Sequence, residues 1–102
     1  MAVSKKKVPT FDQLMNPLLK ALKLLGGSAT VDELYVKVSE IMKLPDEILD
    51  ISHGESGNLS EVAYRLAWAR TYLKKFGIIE NSARGIWAFS KDVDQIEQIN
   101  EK

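Results

Sequence analysis

Residues 58–90, NLSEVAYRLAWARTYLKKFGIIENSARGIWAFS, constrain the fold more than any other stretch of the chain. Val62, Leu66, Ala69, Leu73 and Phe76 recur at alternating spacings of four and three, the period of one face of a helix over residues 60–76. Asn58 is expected to cap its first turn, with Glu61 reaching back from three residues on. Gly77 suits the position just past the helix end, where the left-handed backbone is easiest without a Cβ. Ile78 and Ile79, a turn at Ala83-Arg84-Gly85, and Ile86-Trp87-Ala88-Phe89 then read as a hairpin over 78–90.

The preceding chain supplies two more helices. Leu14, Met15, Leu18, Leu19, Leu22 and Leu25 fall on one face of a helix near residues 11–25, which Gly26-Gly27 ends. Pro17 either kinks this helix or sits in its first turn with Asn16 as cap; a break near Asn16 is the reading favoured here. Thr30 and Glu33 form a capping box opening a helix near 31–42, with Val31, Leu34, Tyr35, Val38, Ile41 and Met42 on its buried face. Ser28-Ala29 is short enough for an edge strand beside the hairpin. Leu44-Pro45 ends the second helix, Asp46 to Ile51 can add one more turn, and residues 52–57 read as a loop. Ser90 can cap a last helix carrying Val93, Ile96 and Ile99.

The expected architecture is α+β and mostly helical: a winged helix-turn-helix with a three-helix core, a C-terminal β-hairpin wing and a short terminal helix. Residues 1–9 read as a flexible basic arm and 10–102 as one domain. Leu18, Leu22, Leu34, Val38, Val62, Leu66, Leu73 and Ile79 are its expected core.

Charge sorts the possible partners. The formal net charge is zero, but residues 1–27 carry five Lys against Asp12, and 28–59 carry two Lys against seven acids. Residues 60–91 carry six cations against Glu61 and Glu80, and the tail from Asp92 is acidic. A basic helix–hairpin unit beside an acidic neighbour is the polarity of a protein that docks one face on a polyanion, and also of many small soluble domains.

Catalysis and metal binding find little support. There is no Cys, and His53 is the only His, so neither a disulfide nor a His pair for zinc can form. His53 reads as an ordinary loop residue. No phosphate-binding glycine loop follows a strand, so no cofactor is expected. No apolar run approaches the roughly 20 residues of a membrane span, and a cytoplasmic location is the expectation.

A helix entering a major groove needs donors for bases and cations for phosphates on its exposed side. Ser60, Tyr64 and Arg65 near the helix start fit that role, with Trp68, Arg70, Lys74 and Lys75 further along. Trp68 can equally pack against a neighbouring element. Arg84 at the hairpin tip can reach a phosphate or remain a solvated turn residue. Neither Arg65 nor Arg84 lies at the centre of the apolar stripe, so both are expected to tolerate charge reversal.

The run Tyr64-Arg65-Leu66-Ala67-Trp68-Ala69-Arg70, then Leu73, Gly77-Ile78-Ile79, Ser82, Arg84-Gly85, Trp87 and Ser90, resembles the Mrr amino-terminal domain. Phe11 to Leu22 fits the same pattern, so the resemblance runs from about Val8 to Ser90. It implies a winged helix that binds duplex DNA and is joined, in that family, to a nuclease attacking modified DNA. The nuclease half has no counterpart here, so no enzymatic activity is expected of the chain. The alternatives are a protein-interaction winged helix, with Tyr64 and Trp68 at a homodimer or nuclease-domain interface, and a small transcription regulator.

Overall fold

A computed structural model describes residues 7–54 and 59–90. The expected cap at Asn58, the arm over residues 1–6 and the terminal helix after Ser90 lie outside them. In chain order the elements are α1 (Phe11–Leu24), β1 (Ser28–Thr30), α2 (Val31–Ile41), α3 (Asp46–Leu49), α4 (Glu61–Lys75), β2 (Ile79–Ala83) and β3 (Ile86–Phe89). The three strands form an antiparallel sheet in the order β1-β3-β2. The fold is α+β.

Each helix stops where its sequence requires. After α4, the Gly77 N–H donates to Lys74 O and the Ile78 N–H to Leu73 O, both at 3.0 Å, with Gly77 at φ 79°. These paired bonds satisfy carbonyls that the helix end would otherwise leave open. Gly26 and Gly27 close α1 with the same pair of bonds, to Lys23 O and Leu22 O. Lys43 performs this turn after α2 at φ 54°, a left-handed position occupied by a residue other than glycine.

The predicted spans of the helices hold to within one residue at each end, but four local readings change, the first being Val31, expected on the buried face of α2 and 37% exposed. Pro17 does not break α1, which runs unbroken from Phe11 to Leu24. Leu14, Met15, Leu18, Leu19, Ala21 and Leu22 are all buried, and that packing outweighs the hydrogen bond lost at the proline. The cap of α4 is Ser60, whose Oγ accepts the Ala63 N–H at 3.0 Å. Phe76 is not part of the buried stripe: it is the residue capping the C-terminus of α4 and is 59% exposed.

The core joins α1, α2, α4 and the hairpin. Leu18, Leu22, Leu34, Val38, Leu66, Leu73 and Ile79 are all buried in one cluster. Val62 belongs to a second, smaller cluster with Val8 and Ile48, flanked by Leu44, Leu49 and Ile51. The end of the expected arm is therefore part of the domain, because Val8 and Pro9 are buried. Burial of Leu66 in this core, with Val62, Ala69 and Leu73 on the same face, is what orients α4. Leu66→Ala is expected to lower unfolding free energy by about 2–5 kcal/mol; urea denaturation of the variant and parent measures it, and an unchanged midpoint would contradict this packing.

Candidate nucleic-acid interface

Once Val62, Leu66, Ala69 and Leu73 point inward, the rest of α4 divides into two sides. Successive residues turn by about 100°, so neighbours in sequence can face different elements. One side borders the hairpin. There the Arg70 guanidinium lies over the Trp87 ring, 5.7 Å from its centroid, and the Lys74 ammonium lies 5.9 Å from the same ring. Lys74 Nζ also donates to Asn81 Oδ1 at 3.3 Å. Two cations are thus gathered at one indole, where the ring quadrupole attracts them. Burial holds the Arg70 pKa below its ordinary value, because a desolvated guanidinium loses hydration of its charge.

The hairpin carries a further cation beyond this pair. Ala83 pairs with Ile86, leaving Arg84-Gly85 as the connection, with Gly85 at φ 75°. A left-handed φ of this kind is what glycine supplies without strain. The register shifts between Asn81 and Ala83, a bulge that adds local twist to β2. Arg84 is exposed at the tip, and Lys74 and Lys75 are exposed in the last turn of α4. Between the start of α4 and α2, Ser60, Ala63 and Arg70 line a groove with Val31, Asp32 and Tyr35. Ser60 keeps its hydroxyl on the helix cap and within 3.4 Å of the Tyr35 hydroxyl.

The other side of α4 faces the start of α1 and is aromatic. Phe11 stacks on Tyr72 with ring centroids 4.8 Å apart and planes 13° apart. Trp68 lies 6.1 Å from Tyr72, and Phe76 lies 6.5 Å beyond it. Tyr64 stacks on His53 at 3.5 Å. Tyr64, Arg65, Trp68 and Tyr72 line an open cleft of about 500 Å³ with Thr10, Phe11 and Asp12. Trp68 is 44% exposed there. Hydrogen bonds from the Thr10 side chain and from backbone hold the Asp12 carboxyl below its ordinary pKa.

Arg65 is bound to its own chain. Its Nε donates to Glu61 Oε2 at 2.8 Å, and Nη1 donates to Val8 O at 2.9 Å and Pro9 O at 3.4 Å. Glu61 is buried, with its other oxygen accepting from His53 Nδ1 at 2.9 Å. This cluster ties the segment before α1 and the loop after α3 to the start of α4. His53 is therefore an anchoring residue rather than an ordinary exposed loop residue.

The residues singled out from sequence are thus not one surface. Arg70 and Lys74 meet at Trp87, Arg84 and Lys75 are exposed cations, and Ser60 caps the helix on the α2 side. Tyr64, Arg65 and Trp68 belong to the aromatic side. Trp87 and Asn81, which position the cations, were missed as site residues. So were Phe11, Asp12 and Tyr72, although Tyr72 stands four residues after Trp68 and eight after Tyr64, a spacing that signals one helix face. No group of three or more His, Asp or Glu among the described residues could hold a metal ion. No helix among them is long and apolar enough to cross a membrane.

Fold and site together define a small α+β domain with a cationic helix–hairpin side and an aromatic side. The family model of the Mrr N-terminal domain matches residues 11–96. The chain belongs to that family. No curated protein and no solved structure gave a match.

The Arg65 geometry alters one expectation. Charge reversal there sets a second carboxylate beside the buried Glu61 and removes both bonds to the Val8 and Pro9 carbonyls. Arg65→Glu is expected to cost about 3–5 kcal/mol, whereas Arg84→Glu at the exposed turn should stay within about 0.5 kcal/mol of the parent. Thermal and urea unfolding of the two variants distinguishes them; equal stabilities would contradict the anchoring role.

Proposed function

We propose that this chain is a DNA-binding winged helix-turn-helix domain, the target-recognition module of an Mrr-like restriction system. In this reading α4 docks in or beside a major groove and the β2–β3 hairpin is the wing. Arg70 and Lys74 gathered over Trp87 are the observation that carries the proposal. They set fixed positive charge at the junction of helix and wing, with Arg84 extending it along the hairpin. Ala63, Ala67 and Thr71 leave the intervening helix surface low enough for close approach of a groove edge. Membership of the Mrr N-terminal domain family supports the same partner, duplex DNA, and a nuclease domain as its working companion. The domain itself supplies binding and no catalysis, and it acts in the cytoplasm.

The aromatic side favours a second reading, in which the domain also holds a protein partner through Tyr64, Trp68 and Tyr72. The two readings differ in salt dependence. Phosphate neutralisation releases counterions, so duplex binding should weaken steeply as salt rises, whereas an aromatic interface should be far less sensitive.

Fluorescence anisotropy with labelled duplexes over a salt series tests the proposal. Arg84→Ala should weaken binding to all sequences alike and lower the magnitude of the salt slope by about one unit. Lys74→Ala should behave similarly, with an added loss from freeing Trp87 and Asn81. A folded parent that binds no duplex at low salt, or variants that bind as tightly as the parent, would contradict the DNA reading and leave the interface reading in its place.

A further inference from the structure

The cleft between the start of α1 and the aromatic side of α4 is unused by the DNA reading. It lies across α4 from the hairpin, so a duplex seated on Arg70, Lys74 and Arg84 leaves it open to solvent. Its walls are the rings of Phe11, Tyr64, Trp68 and Tyr72, and its polar groups come from Thr10, Asp12 and Arg65. The charges in it are not equivalent. Arg65 is neutralised at 2.8 Å by Glu61 and further engaged by the Val8 and Pro9 carbonyls. Asp12 is fully exposed to solvent, and no ion pair joins it to a cation among the described residues. The cleft therefore offers π faces and one carboxylate that is hydrogen-bonded by Thr10 and backbone N–H groups but carries no cation partner among the described residues.

That combination selects a particular guest. Aromatic faces carry negative quadrupole potential and attract a cation within about 6 Å of the ring centroid. A carboxylate at the rim accepts charge-assisted hydrogen bonds, which a planar guanidinium donates in bidentate form. An anion or a nucleic-acid phosphate would meet Asp12 as a like charge. We propose that this cleft is a docking site for an arginine side chain of a basic segment on a partner polypeptide, with Trp68 as the stacking surface and Asp12 as the counter-charge. The proposal deepens the protein-partner reading and does not depend on duplex binding.

The test is a calorimetric titration of the full chain with a short capped peptide bearing a central arginine, and with the same peptide bearing citrulline, its neutral isostere. The arginine peptide should bind about tenfold more tightly than the citrulline peptide, the scale of a partly desolvated cation–π contact with its counter-charge. Asp12→Asn and Trp68→Ala each change an exposed residue. Each should reduce arginine-peptide affinity about tenfold while circular dichroism and duplex binding stay unchanged. That last readout separates failure here from failure of the DNA reading. Equal binding of both peptides, wild-type affinity in both variants, or no binding of the arginine peptide at millimolar concentration would overturn the proposal.

Discussion

One row of side chains governs this domain: Val62, Leu66, Ala69 and Leu73, buried along a single face of α4. Each buried Leu in that row contributes about 1.5–3 kcal/mol through removal of apolar surface from water. More consequential for function is the rotation this burial imposes. Fixing those four residues inward leaves no freedom for the others, so Arg70 and Lys74 must meet the hairpin, and Trp68 and Tyr72 must meet α1. A rotation of α4 by one residue position would mix the two chemistries. The row thus sets both the stability of the fold and the separation of its two surfaces.

A second constraint holds the start of α4 in place. Glu61 is buried at the first turn, where a carboxylate also complements the helix dipole, and its oxygens reach Arg65 and His53. Arg65 passes the connection on to the Val8 and Pro9 carbonyls. A buried carboxylate is costly unless its lone pairs are satisfied. This cluster satisfies them by recruiting the segment before α1 and the loop before α4, so polar bonding fixes the rim of the aromatic cleft. The wall at Phe11 begins three residues after Val8, and a loosened Arg65 would move it.

Much of the fold was legible in the sequence because it rests on local rules. The Thr30–Glu33 capping box is present in both directions, at 2.8 and 3.1 Å. The glycines after α1 and α4 take left-handed backbone, and the short strand at Ser28–Thr30 joins the hairpin at β3. The misreadings at Pro17 and Phe76 arise where tertiary packing, not local propensity, decides. Periodicity assigns Phe76 to the stripe, but the helix ends at Lys75 and the residue turns outward. The site was less legible for a different reason. A helical wheel says that Arg65 borders the apolar face, but not that a buried Glu61 and two carbonyls from Val8 and Pro9 wait for it. Likewise the pairing of Arg70 and Lys74 with Trp87 joins residues from separate elements, which no spacing rule within α4 can show.

In the proposed function the hairpin side of α4, and not its aromatic side, meets duplex DNA. Backbone amide and indole resonances, followed by nuclear magnetic resonance as a short duplex is added, test it most directly. Shifts are expected to concentrate at Ala67, Arg70, Thr71, Lys74, Arg84, Gly85 and the Trp87 indole, with Phe11, Asp12 and the Trp68 indole unmoved. Shifts confined to Phe11, Tyr64, Trp68 and Tyr72, or none at a saturating duplex concentration in low salt, would contradict it.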